Sequence, residues 1–161
     1  MSGNPILLVS PGREAERSTF HEWETSHVHG VHPVVYSETY RHSREPSDGA
    51  WGRRPMYLVT YQVRAEQEPA FTAWYESDYI PRLMADVPAY AACRRYASRS
   101  AEPTTYLTVY EIASLPEVDT ALADMGAPWR TSQNLAWHHW EEAAVPSIEA
   151  NVFRPIFSWP V

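Results

Sequence analysis

Residues 20–42, FHEWETSHVHGVHPVVYSETYRH, hold five of the chain's seven histidines, at positions 21, 27, 29, 32 and 42. Imidazoles at this density could hold a metal, move protons, or decorate an exposed face. Spacing bears on the choice. On a helix advancing about 100° per residue, His27 comes within about 20° of Phe20 and lies on the side of Trp23, so it faces inward. His29 falls on the opposite face, and His32 follows the C-cap residue Gly30 and precedes Pro33, which favours extended chain. A helical metal pair needs i,i+3 or i,i+4 spacing with a further ligand nearby, which HVHGVH supplies only across the helix end. No metal is expected, although on a strand His27 and His29 would share a face. His27 becomes the candidate base: the helix dipole favours its imidazolium and burial its neutral form, a balance that suits proton transfer near neutral pH. The alternative is a buried histidine satisfied by a backbone carbonyl.

Three further groups could act with it. In VVYSETYRHS, residues 34–43, strand alternation puts Tyr36, Glu38, Tyr40 and His42 on one face. If that face lies over the helices, Glu38 and Tyr40 meet His27 across a cleft as orienting or protonating groups; if it faces solvent, the strand is merely exposed. Asp78 lies on a second helix, on the side of Phe71 and Trp74. There it either serves as a second acid–base group or forms an i,i+4 ion pair with Arg82 that Pro81 disturbs. Trp23, Tyr36, Trp51 and Trp74 are the candidate walls of a substrate volume. Trp51 is the apolar tip of SREPSDGAWGRRP, residues 43–55, a lid or a solvated hairpin loop. His138 and His139 flank the Trp137, Trp140 and Ala144 face of another helix and read as its solvated edge.

The elements that must position these groups form a repeat. Phe20, Trp23 and Ser26 recur 51 residues later as Phe71, Trp74 and Ser77. Strand-like runs precede each copy, ILLV and MYLVTYQV, and two more strands follow each, with AYAACRRYAS and TTYLTVYEI closing the second. The unit is strand, helix, strand, strand, written over about 6–63 and again over 56–112, followed by a helical section at 115–144 and a last strand near 152–159. This order predicts one α+β domain spanning 1–161, a ferredoxin-like antiparallel sheet with helices on one face. The other face needs a cover, so a homodimer joined sheet against sheet is expected, with internal closure of the half-units as the competing arrangement.

Composition narrows the function classes. A net charge of -7 lacks the basic stripe that phosphate binding needs, so no nucleic-acid partner is expected. The longest apolar run is far too short to cross a bilayer and no leader-like segment precedes it, so neither membrane nor export is expected. The single Cys93 can make no internal disulfide, fits a reducing cytoplasm, and reads as a small core residue. Ten Tyr and 7 Trp against 4 Phe bring polar handles with their apolar area, suited to pocket walls, to interfaces, or to a core that satisfies them.

The stretch FTAWYESDYIPRLMADVPAYAACRRYAS with TTYLTVYEI resembles the dimeric α/β-barrel superfamily and, within it, the EthD-like proteins. The shared pattern is an aromatic, then Trp-Tyr, an acidic or His position, Ile-Pro, and a strand ending Arg-Arg-Tyr. Asp78 stands where His is usual, and the first copy lacks the Tyr. The resemblance implies a small-molecule site on a fold that hosts polyketide cyclases, isomerases, a lyase, cofactor-free monooxygenases and haem-degrading enzymes. The leading expectation is a cofactor-independent acid–base enzyme of secondary metabolism, a cyclase or isomerase acting on a small apolar aromatic or polyketide-like substrate. A haem-binding or cofactor-free oxygenase and a non-catalytic binding protein are the alternatives.

Overall fold

The computed structural model describes residues 6–11, 18–23, 34–44, 54–98 and 103–154, with side chains from Val35 onward. Seven strands, β1 (Ile6–Pro11), β2 (Ser18–Trp23), β3 (Val34–Ser43), β4 (Met56–Gln62), β5 (Tyr90–Ser98), β6 (Thr105–Ile112) and β7 (Ser147–Phe153), join one sheet. Their order is β1-β2-β3-β5-β6-β4-β7, and every neighbouring pair is antiparallel. The central strands β5 and β6 are buried almost throughout, whereas the edge strand β7 is mostly exposed. β4 and β5 both run antiparallel to β6, so they are parallel to each other, and only a crossover through helices can connect them. The same reasoning links β6 to β7 across β4. The strand-helix-strand-strand-helix-strand order therefore runs from Met56 to Phe153, with β1 to β3 added beyond β5.

The first crossover is α1 (Glu68–Trp74), a π-helical turn (Tyr75–Tyr79) and α2 (Ile80–Asp86). Pro81 explains the π turn. Its ring nitrogen cannot donate to the carbonyl four residues back, and the helix widens there, with the Ile80 N–H reaching the Tyr75 carbonyl. Val87 is extended ahead of Pro88, which ends the helix. The second crossover holds α3 (Val118–Met125) and α4 (Thr131–Ala144), each preceded by a 3₁₀ turn containing proline, Leu115–Glu117 and Pro128–Arg130. Both crossovers cover one face, where Phe71, Ile80, Leu83, Val118 and Ala121 pack on Val59, Tyr61, Tyr106, Tyr110 and Ile112. The opposite face has its own cluster of Tyr36, Met56, Leu58, Tyr96, Leu107 and Val109. These six are already buried within the single chain.

Residues 18–23, read from sequence as the start of a helix, form β2, paired on one side with β1 and on the other with β3. Three recurring letters carried the helical reading, but both neighbouring strands present backbone groups that only an extended segment satisfies. The inward direction assigned to His27 depended on that helix, and His27 itself lies outside the described residues, as do His29, His32 and Trp51. The last strand also begins earlier than expected, at Ser147 instead of near residue 152.

β3 also departs from the strict alternation of the sequence reading. A bulge between Glu38 and Tyr40 shifts its register on β5, so that Glu38 faces Tyr96 while Tyr40 faces Arg95. Thr39 is the extra residue, and its hydroxyl donates to the Arg95 carbonyl. One inserted residue reverses the side-chain parity. Tyr36 and Glu38 therefore share the face away from the helices, whereas Tyr40 packs on the helix-side core.

Candidate functional site

A cavity of about 400 Å³ opens between the helices and the sheet. Tyr57 and Tyr110 form its sheet wall, Tyr75 and Tyr79 its α1–α2 wall, and Trp137, Asn134 and His138 come from α4. The π turn builds the second of these walls. Tyr75 and Tyr79 stack at 5.2 Å with rings 13° from parallel, and Trp137 meets the Tyr79 ring at 5.4 Å. The remaining contacts with the cavity are apolar, among them Val59, Leu83 and Leu122. Its geometry suits a planar, largely apolar molecule.

The cavity's phenols are neutral hydrogen-bonding groups. Burial raises the pKa of Tyr57, and it raises those of Tyr75 and Tyr110 well above the usual value. Burial also lifts Tyr79 to about 12, against the opposing pull of the nearby Arg130 charge. Tyr75 and Tyr110 bond each other at 3.0 Å. The Tyr57 hydroxyl and the Asn134 carboxamide make no hydrogen bond among the described residues, so both are available to a ligand. At the mouth, His138 Nδ1 lies 3.1 Å from Glu141 Oε2, with 67% of the histidine side chain exposed. With Nδ1 engaged by the carboxylate, Nε2 is the nitrogen free to exchange a proton.

Beside the cavity, on the same helix-covered face of the sheet, sits Arg95, 0% exposed. It donates to the Tyr61 hydroxyl at 2.9 Å, to Glu76 at 2.7 Å and to Thr72 at 3.3 Å, with its guanidinium 3.8 Å from the centre of the Tyr106 ring. Burial works against its charge, but Tyr61 and Glu76 outweigh burial and hold it protonated.

The groups singled out in the sequence do not converge on this cavity. Glu38 is held by Arg41 at 2.8 Å and Arg94 at 3.6 Å on the far face, near Tyr36. Asp78, on the π turn, is 2.7 Å from Arg82 in a partly exposed i,i+4 pair. The π turn leaves that pair intact despite Pro81. Tyr40 and Trp74 both pack on the helix-side core, and the Trp74 ring lies 5.1 Å from Tyr79, behind the cavity wall. Trp23 is placed only by its backbone, opposite Ile6. Cys93 is buried as expected. Among the described residues no group of three or more His, Cys, Asp or Glu could hold a metal ion. Of the cavity's tyrosines, Tyr75 was visible only in the Trp-Tyr of the family resemblance, and His138 only as a helix edge. Tyr57 and Tyr110 stood in the strand-like runs MYLVTYQV and TTYLTVYEI, but no strand pattern could say which side the helices would cover.

Among the described residues no helix is long and apolar enough to cross a membrane. No family model matches the chain, and no curated protein matches it. A solved structure similar to it is the crystal structure of a candidate monooxygenase from Lactobacillus acidophilus NCFM, with a TM-score of 0.54 at 11% identity. The match covers 77% of this chain and 52% of that one, so the chain spans about half the length of the protein it resembles. The shared feature is the fold, a ferredoxin-like α+β arrangement with an antiparallel sheet and helices on one face.

Proposed function

We propose that the protein is a small-molecule enzyme, EthD-like and independent of a cofactor, that moves a proton on an apolar aromatic or polyketide-like substrate and so drives cyclisation or isomerisation. The observation that carries this reading is the cavity itself. Four neutral phenols and a tryptophan line one volume, and a histidine–carboxylate pair stands at its mouth. Tyr57 and Asn134 would hold a substrate oxygen as charge develops on it, and His138, oriented by Glu141, would take the proton. His27 is the competing base. Purified protein would be incubated with a panel of planar hydroxy- and keto-aromatics while absorbance is followed. Against a turned-over substrate, His138→Ala should lower kcat/KM by about 100-fold or more. A wild-type rate in that variant, with loss in His27→Ala, would move the base to His27.

A second reading is favoured by the likeness to a candidate monooxygenase. Proton abstraction is the first step in both, because an electron-rich substrate anion is also the species that reacts with oxygen. Dissolved-oxygen measurement separates them: consumption matched to substrate loss supports the oxygenase, and an unchanged oxygen level supports rearrangement. A sheet-against-sheet homodimer belongs to the same proposal. Light scattering should give the mass of two chains, and the 18.4 kDa of one chain would overturn it.

A further inference from the structure

We propose that Thr108 sets the hydrogen-bonding direction of Tyr110 through Tyr75, so that Tyr110 faces the cavity as an acceptor and selects ligands that donate a hydroxyl there. This rests on the cavity being the binding site. Arg95 has only donors and cannot release a proton. Arg95 Nε donates to the Tyr61 oxygen at 2.9 Å. The Tyr61 proton must then go elsewhere, and Thr108 Oγ1 lies at 3.2 Å.

Thr108 also receives Tyr75, whose hydroxyl lies 3.4 Å away in a geometry that works only with Tyr75 donating. Tyr75 has one proton. Once it is committed to Thr108, the bond of 3.0 Å between Tyr75 and Tyr110 must be donated by Tyr110. Tyr110 thus turns its proton away from the cavity and its free electron pairs are what a ligand meets. Thr108 does not line the cavity, so it acts on a ligand through Tyr75 and Tyr110 and is a positioning residue.

Calorimetric titration of the full chain with 1-naphthol and with 1-methoxynaphthalene tests this, since the two probes differ in whether their oxygen can donate. The wild-type protein should bind the naphthol about tenfold more tightly. Tyr110→Phe should abolish the preference. Thr108→Val should do the same, because the Tyr75 proton then turns to Tyr110 and the Tyr110 proton to the cavity, and Thr108→Ser should restore it. Tyr75→Phe, which also frees the Tyr110 proton, is the second variant should Thr108→Val fail to fold. Equal binding of both probes to the wild type, or a preference that survives Tyr110→Phe, would overturn the assignment while leaving the cavity as a binding site. If neither probe binds, the cavity reading falls and this inference falls with it.

Discussion

Arg94 and Arg95 are neighbours on β5, yet they face opposite sides of the sheet and are treated differently. Arg95 is enclosed by the helices, bonded to Tyr61, Thr72 and Glu76 and stacked near Tyr106. Arg94 is 8% exposed on the other face, with Glu38 at 3.6 Å, and Glu38 is shared with Arg41. One guanidinium anchors hydroxyls that lead to a cavity. The other belongs to a cluster of charges. A buried charge here takes its role from what the crossovers bring over it, because the strand supplies the same residue type to both faces.

The largest expected effect comes from removing the ring on which the helix-side face is assembled. Phe71 is 0% exposed and contacts the rings of Tyr61, Tyr75, Trp137 and Trp140. Phe71→Ala should cost about 3–5 kcal/mol in urea unfolding. Arg95→Met should come next, at about 3 kcal/mol, because it leaves the Tyr61 hydroxyl without its donor and Glu76 without its partner. Arg94→Met should cost only about 1 kcal/mol, since Glu38 retains Arg41. Equal costs for the two arginine variants would remove the distinction between the faces.

Alkaline titration sharpens the same contrast. Burial lifts Tyr79 and Tyr106 from 10.0 to about 12, with Glu68 adding to the rise at Tyr106. Their folded forms hold protons that the unfolded chain releases first, so this stability is complete below pH 10 and lost as pH rises toward 12. The urea midpoint should fall across that interval, while phenolate absorbance at roughly 295 nm should appear together with unfolding. Early phenolate growth in folded protein would show that the cavity tyrosines are wet. The smallest effect belongs to Asp78→Asn, which loses a half-exposed pair with Arg82 and should shift stability by about 0.5 kcal/mol or less. If the same variant abolished turnover, Asp78 would regain the acid–base role read from the sequence.

Local chemistry alone determined much of this protein. Alternation marked β3 and β4 to β6, and Pro88 is a stop that follows from geometry at one residue. The apolar face of Trp137 and Trp140, the buried Cys93 and the α+β class were legible for the same reason: each depends on residues close together along the chain. Tertiary structure decided the rest. Segment 18–23 is β2 because β1 and β3 flank it. The parity of β3 turns on Thr39 bonding to Arg95, 56 residues away, which separates Glu38 from Tyr40. The cavity joins Tyr57, Tyr79, Tyr110 and Trp137 from four separate elements. No local pattern records which face two crossovers will cover, and a site assembled from long-range pairings exists only once the sheet order and register are set.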